Sequence, residues 1–486
     1  MTRTLLATLT AALLGSSLAQ TPVTPPPVTP PAPLDRPLPA PEPPATATVT
    51  RNEPTPQQFT PDKLARLKVP AGYKISVMAT ELGNARMLHV MPDGGIYMSR
   101  RQQGDIWYLK DANGDGTIDA TERRRVADQL KLVHGIDTRQ GKLYAVGEKT
   151  IWVMDMSKDG GLSVPRVFAD KFPDAGQHPA RQLAWGPDGY LYASFGSTNN
   201  DAPTQNPEEA TILRIRPDGQ VREVYARGLR HTIGFGWHPV TKTFYGMDQG
   251  SDWHGDNIPP EELNVIKRGK NYGWPFCYGA KNPDPFVNLG NMPGKITKEE
   301  YCARTEPSTL NYTAHAAAIA LKFYTGTQFP ADVRNDAFVT FRGSWNRNEP
   351  SGYEVARVVF NAQNKPEKIE PFITGFVYQE GGEWKQFGRV AGGQNGGKLV
   401  LLQREPPRHQ HREPRPAEGF AQHCPLLSVG RAKFLRVHAV LHHAHVRQGH
   451  HAAQEFAAPH RHREQPVSRP QRVRLGAAVN LAVQRL

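Results

Sequence analysis

Long apolar runs are missing from this chain of 486 residues. The longest apolar stretch lies within residues 1 to 19 and falls well short of the roughly 20 residues that a membrane span needs. No membrane span is therefore expected. Cysteine is scarce, with only Cys277, Cys302 and Cys424. Three thiols leave room for a single disulfide, expected between Cys277 and Cys302, where it would close a Pro/Asn/Gly-rich excursion. A pair of free buried thiols is the alternative. Helical periodicity is nearly absent between residues 62 and 400, which excludes an α-helical body. From Gln403 to Leu486 there is no Asp, Tyr or Trp.

What is present divides the chain into four stretches. Residues 1 to 19 run from Met1-Thr2-Arg3 through an apolar core to Ser17-Leu18-Ala19, the pattern of a secretory signal. Export to the periplasm or the exterior is expected. Residues 20 to 58 are dominated by Pro with Thr and Ala, a spacer composition that extends as polyproline II. Residues 62 to 402 form the candidate folded body. Residues 403 to 486 hold thirteen Arg and one Lys against five Glu, and eleven of the eighteen His.

That last stretch explains the net charge. It supplies nine of the thirteen surplus positive charges, so the basic balance does not point to a nucleic-acid partner of the body. Its Arg/His/Pro/Ala text is what a GC-rich frame yields when translated out of phase, or else a metal- or polyanion-binding tail. No function is placed there.

Within the body, short strands alternate with turn chemistry. Pro92-Asp93-Gly94-Gly95 leads into Ile96-Tyr97, Gly141-Lys142 into Leu143-Tyr144, Pro187-Asp188-Gly189 into Leu191-Tyr192, and His238-Pro239 towards Phe244-Tyr245. The tyrosines are 47, 48 and 53 residues apart. Weaker echoes occur at Phe338-Val339 and Leu399-Val400. Repeats of about 40–50 residues with four strands each are the mark of propeller blades, which hide their sheet edges by radial closure. The expected fold is an all-β, six-bladed β-propeller, its sixth blade either complete or breaking off after Gly392. A β-sandwich with coincidental spacing is the alternative. The double interval from Tyr245 to Val339 is expected to be a blade boundary carrying a large insertion.

The sharpest local motif is Asp111-Ala112-Asn113-Gly114-Asp115-Gly116-Thr117-Ile118-Asp119-Ala120-Thr121-Glu122. Asp111, Asn113, Asp115, Thr117, Asp119 and Glu122 stand at loop positions 1, 3, 5, 7, 9 and 12, with Gly116 at 6, as a seven-coordinate calcium loop requires. A strand rather than a helix precedes it, so the expectation is a bound Ca2+ bracing an inter-strand turn. A solvated acidic turn is the bland alternative. Elsewhere, His178 sits in a loop before Gln182-Leu183-Ala184-Trp185, where it could take a proton. His134 and Arg230-His231 occupy similar places one repeat before and after it, and three such basic loops at one mouth would suit an anionic cofactor. The stretch from Asp248 through Glu261-Glu262 to Pro275 reads equally as a hard-cation site or a rigid loop.

Taken together, His178 and Arg181 before Trp185-Gly186-Pro187-Asp188-Gly189, Gly228-Leu229-Arg230 before Gly-Phe-x-Trp-His-Pro, Glu261-Glu262-Leu263-Asn264 with Asn271-Tyr272-Gly273-Trp274-Pro275, and Arg342-Gly343-Ser344-Trp345-Asn346-Arg347 resemble a known family. It is that of the soluble glucose/sorbosone dehydrogenases dependent on pyrroloquinoline quinone (PQQ), with their aldose-dehydrogenase relatives. The similarity covers about Gly72 to Gly392 and implies a six-bladed propeller that oxidises a small sugar and passes electrons to an external acceptor. It implies His178 as general base, Arg230 beside the quinone oxygens, Arg389 on the cofactor carboxylates, and main-chain oxygens at Gly250 and Ser251 as calcium ligands; His134, Arg181 and His231, in the basic loops, are expected as further cofactor contacts. Two departures stand out: Gln177 occupies the place of an Asp that orients the base, and His231 that of an Asn. A non-catalytic, calcium-bound propeller that binds carbohydrate or a partner protein is the rival reading. The identity of the sugar and the oligomeric state stay open.

Overall fold

The structure, a computed structural model, describes residues 45–83, 85–174, 176–287, 296–392, 394–395, 399–404, 426–428 and 478–485. The expected signal segment, the first part of the spacer, Cys424 and most of the basic tail lie outside the described residues.

The body is all-β, with one short α-helix among the described residues, Lys298–Ala303. Five antiparallel sheets follow one another along the chain. The first holds Ala85–Val90, Ile96–Arg100, Asp105–Leu109 and Arg123–Ala127. The second holds Ile136–Arg139, Lys142–Val146, Ile151–Asp155 and Arg166–Ala169. The third is built on Gln182–Trp185, Leu191–Phe195, Thr211–Ile215 and Arg222–Arg227. The fourth comprises Gly234–Trp237, Phe244–Asp248, Glu261–Val265 and Leu310–Tyr312. Ala318–Phe323, Ala337–Phe341, Glu354–Phe360 and Pro366–Ile373 make the fifth. In each of them the second strand carries the repeat read from sequence, at Tyr97, Tyr144, Tyr192, Tyr245 and Val339.

Local chemistry explains that regularity. Gly94 and Gly189 adopt φ of +85° and +83°, left-handed values that glycine alone adopts at no steric cost. Asp93 Oδ1 accepts from Gly95 N at 3.1 Å and Asp188 Oδ1 from Tyr190 N at 3.2 Å, closing each turn before its strand. Leu191–Phe195 and Ala337–Phe341 are buried at every residue, because neighbouring sheets cover both faces. Each large apolar side chain buried in this way contributes about 1.5–3 kcal/mol.

The insertion lies elsewhere than expected. Residues 266–309 leave the fourth sheet after its third strand, and Leu310–Tyr312 returns to pair with Glu261–Val265, so the excursion is internal to one sheet and not a boundary between two. Within it Lys270–Asn271 pairs in parallel with the third sheet, Cys277 and Cys302 form the expected disulfide, and Thr297 with Glu300 caps the helix reciprocally.

A sixth sheet joins the two ends of the chain. Leu399–Arg404, at the last sequence echo, pairs with Arg389–Val390 and with Ala478–Arg485, which in turn pairs with Tyr73–Thr80, Val77 opposite Leu481. Pairing thus continues past residue 403, where the tail was expected to begin. An unpartnered Tyr73–Thr80 would leave a row of open N–H and C=O groups. The end of the expected spacer also lies on the body: Ala45 N donates to Pro285 O at 2.8 Å and Asn52 N to Trp345 O at 3.1 Å, while Thr55–Pro56 pairs with Lys385 and Gln386.

Candidate active site

His178 lies in the segment entering the third sheet and is buried. Its Nδ1 stands 2.6 Å from Ser197 O and 3.0 Å from Ser197 Oγ. The Ser197 hydroxyl donates its own hydrogen to Asn199 O at 2.6 Å, so both Ser197 oxygens can only accept from the ring. Nδ1 therefore carries the hydrogen and Nε2 is left with its lone pair. Burial, then the positive Arg230 and the neighbouring His231 ring, hold the imidazole well below its usual pKa, so the ring is neutral. Gln177 plays no part in this: its side chain is exposed. Ser197 is the orienting residue, and no sequence motif singled it out.

His231 packs beside His178, ring centroids 4.8 Å apart. Its Nε2 lies 3.1 Å from Ala180 O and its Nδ1 3.3 Å from Gln249 Oε1. Burial lowers its pKa to about 3. The turn carrying Arg230 and His231 is pinned by Asp248, which accepts from Arg230 N and His231 N, both at 2.9 Å, and from Thr232 Oγ1 at 2.6 Å. The Arg230 guanidinium is 2% exposed. It donates to Asn200 O and Oδ1, each at 2.8 Å, and pairs with Asp252 Oδ2 at 2.9 Å. Asp252 Oδ1 accepts from Asn346 Nδ2 at 3.0 Å, which ties the loops of the fourth and fifth sheets together around Arg230.

His134 is fully buried, its Nδ1 2.8 Å from Arg181 O and its Nε2 without a hydrogen-bond partner. Burial, then Arg86 and Arg101, keep it well below its normal pKa. Arg181 is turned differently from what was expected. Its guanidinium donates to main-chain oxygens of Glu148, Gly196, Pro173 and Asp174 at 3.2–3.5 Å and lies over the Phe195 ring, so it braces loops. Arg389 donates to Gly343 O at 2.6 Å and pairs with Glu53 Oε1 at 3.3 Å.

These residues suit a planar polyanion such as a quinone tricarboxylate. Arg101 Nε, His134 Nε2, Asn346 Oδ1 and Arg347 Nε and Nη1 are buried polar atoms with no partner within the protein. Such groups are costly unless another molecule satisfies them. Three of the five are guanidinium nitrogens, the donors that recognise carboxylates, while His134 Nε2, whose ring hydrogen lies on Nδ1 against Arg181 O, and Asn346 Oδ1 accept.

Across neighbouring strands, sequence reading left a second cluster unresolved. Asp248 stands opposite Glu262 in register, and burial raises Asp248 to about 6, Glu261 to about 8 and Glu262 to about 7. Glu261 Oε2 and Asn264 Oδ1 have no hydrogen-bond partner. Gly250 and Ser251 follow directly on this cluster, and buried Ser251 accepts from Trp274 Nε1 at 3.2 Å.

The 111–122 loop lies apart, between the third and fourth strands of the first sheet. Asp111 accepts from Gly114 N and Gly116 N, Asn113 Oδ1 from Asp115 N, Asp115 from Thr117 N, Asp119 from Thr121 N, and Glu122 from Ala112 N and Asn113 N. These turns occupy one lone pair of most oxygens and leave others. Ile118 is buried and its N–H donates to Met78 O at 2.7 Å, fastening the loop to Tyr73–Thr80. Among the described residues, no group of three or more His, Cys, Asp or Glu side chains is arranged to hold a metal ion, and no helix is long and apolar enough to cross a membrane.

Comparison with known proteins follows the same lines. The chain is 29% identical over 332 residues to an uncharacterized protein of Borreliella burgdorferi, covering 64% of this chain and 81% of that one. It is 24% identical over 277 residues to the aldose sugar dehydrogenase YliI of Escherichia coli, covering 52% and 68%. It is also 24% identical over 340 residues to a pyrroloquinoline quinone-dependent pyranose dehydrogenase of Coprinopsis cinerea, where it covers 61% of this chain but only 45% of the relative. The fold matches the PQQ domain of the Coprinopsis cinerea pyranose dehydrogenase and a family AA12 protein of Trichoderma reesei, each with a TM-score of 0.58 and 18% identity, over 72% and 74% of this chain and 96% and 97% of those structures. The TrAA12-like family model matches residues 67–374, more than half of the sequence, and the chain belongs to that family.

Proposed function

We propose that this protein is an exported quinoprotein that oxidises an aldose or sorbosone-type sugar at its aldehyde-level carbon, in the periplasm or outside the cell, and hands the electrons to an external acceptor. The six sheets are read as six blades, with the sixth closed by Tyr73–Thr80. The observation that carries the reading is the neutral His178, whose Nδ1–H is committed to Ser197 and whose Nε2 is free to accept a proton. PQQ, when bound, supplies a two-electron acceptor that takes hydride from the sugar carbon. His178 Nε2 receives the proton of the hydroxyl on that carbon. Arg230, fixed by Asn200 and Asp252, presents positive charge where negative charge gathers. Arg101 and Arg347 offer the donors for the cofactor carboxylates, and His134 Nε2, its hydrogen committed to Nδ1, offers an acceptor. Calcium in the 111–122 loop rests on the spacing of its oxygens.

The test is reconstitution of the purified protein with calcium and PQQ, followed by dye reduction with a panel of aldoses. The reading expects a bound-cofactor spectrum and turnover. Neither appearing would leave the non-catalytic propeller as the better account.

A further inference from the structure

Trp253 is 45% exposed, the one aromatic among the exposed large hydrophobics of the described residues; the other four are valines. A single exposed apolar side chain is ordinary in itself, but this one is held with unusual firmness. Its φ is +69°, a left-handed conformation that is a genuine outlier for a bulky residue and persists only where its surroundings impose it.

Those surroundings are explicit. On one side Asp252 N donates to Asn200 Oδ1 at 2.7 Å, and its carboxylate is shared between Arg230 and Asn346. On the other side His254, 3% exposed, lies 3.0 Å from Asp201 Oδ2 and 3.2 Å from Asp284 Oδ2 and stacks on Phe286. The indole meets Trp345 edge to face, with centroids 4.7 Å apart at 82°. Strain, two anchored flanks and an aromatic brace together present one large ring to solvent, a single residue from the carboxylate that fixes Arg230.

A pyranose offers a flat face of C–H bonds, weakly positive and poorly hydrated, with hydroxyls around its rim. An indole face carries negative charge density and suits such a surface, and a ring with only two side-chain torsions loses little freedom on binding. A hydroxyl partner is at hand: Asn346 Oδ1 lacks a partner within the protein, and Asn346 Nδ2 already bonds Asp252. We propose that Trp253 is the platform on which the substrate's sugar ring stacks, setting its orientation beside Arg230. This inference rests on the sugar-dehydrogenase reading above.

The test uses the full chain reconstituted with PQQ and calcium, comparing wild type with Trp253→Phe, Trp253→Ala and Trp253→Asn. Sugar binding is followed by calorimetric titration and saturation-transfer NMR, alongside dye-reduction kinetics. In Trp253→Ala, kcat/KM should fall by about tenfold, carried mainly by KM, with the cofactor spectrum kept, a loss matching about 1.4 kcal/mol of binding. Trp253→Phe should recover most of it. Trp253→Asn relieves the backbone, since Asn tolerates this conformation, so its Tm should rise while its sugar affinity falls. A platform-free role predicts the reverse: a lower Tm for Trp253→Asn and an unchanged KM, and that result overturns the proposal. Sugar binding that depends on Trp253 without any turnover would uphold the platform and remove the dehydrogenase reading. A wild type that turns over sugars, with unaltered KM in all three variants, would do the opposite. A wild type that neither binds nor oxidises any sugar defeats both.

Discussion

His178 Nδ1 is 2.6 Å from the carbonyl of Ser197, and because the Ser197 hydroxyl is already donating to Asn199 O, the hydrogen between them belongs to the imidazole. The tautomer is thus decided by a residue nineteen positions away. Replacing His178 by Ala should lower kcat by about 10²–10⁴-fold, the usual worth of a positioned base, while cofactor binding persists. Stopped-flow dye reduction checks this. Ser197→Ala, which keeps the carbonyl acceptor, should cost much less; a loss equal to that of His178→Ala would show that the hydroxyl, not the carbonyl, sets the tautomer.

Acid should unfold the protein through the buried imidazoles. His134, His178 and His231 all have folded-state pKa values below that of the unfolded chain, so the native state binds fewer protons. Their stabilising effect is complete above about pH 6.5 and is lost as pH falls, each adding a slope of up to about 1.4 kcal/mol per pH unit. Denaturant midpoints measured from pH 7 to pH 4 report it.

His254 acts in the opposite sense. Burial would lower its pKa, but Asp201 and Asp284 raise it to about 9. Its contribution is complete below about pH 6.5 and disappears as pH rises through about 9. The Tm of wild type should therefore converge on that of His254→Gln between pH 6.5 and 9, and parallel profiles would contradict the ion pairs.

The Cys277–Cys302 bond should stabilise chiefly by restricting the unfolded chain. With a sequence separation of 25 residues, its removal as Cys277→Ser/Cys302→Ser should cost about 3 kcal/mol. Urea titration of the oxidised wild type and the double variant measures the difference.

Calcium should raise the Tm through the 111–122 loop, and chelation should lower it. Glu122→Gln, which removes the negative charge and one of the two oxygens at position 12, should weaken the calcium response of the Tm by about tenfold or more in midpoint concentration. Because Ile118 is hydrogen-bonded to Met78, the loss should appear first as faster amide exchange in Tyr73–Thr80. Exchange that ignores calcium would detach the loop from the sixth sheet.

Five strands of the repeat were legible because their signal is local. At Asp93-Gly94 and Asp188-Gly189 a turn closed by its own carboxylate, followed by apolar residues, needs no distant partner to declare itself. The disulfide was legible for a similar reason, since scarce thiols leave few pairings. The place of the insertion was not, because whether Leu310–Tyr312 begins a new sheet or completes an old one depends on which edge it meets, and a three-residue strand carries no signal of its own.

The turn chemistry, the spacing of the sheets, the spacing of the oxygen-bearing side chains over 111–122 and the presence of His178 and Arg230 are all legible in the residues alone. What those side chains face was set by the fold. It turned Arg181 onto main-chain oxygens, gave Arg389 a partner in Glu53 336 positions away, set Asp248 across from Glu262, and paired Ala478–Arg485 with Tyr73–Thr80. The reason is physical: hydrogen bonds within a few residues are encoded by neighbours along the chain, whereas burial, pKa and the pairing of charges depend on groups that only the folded sheets bring together.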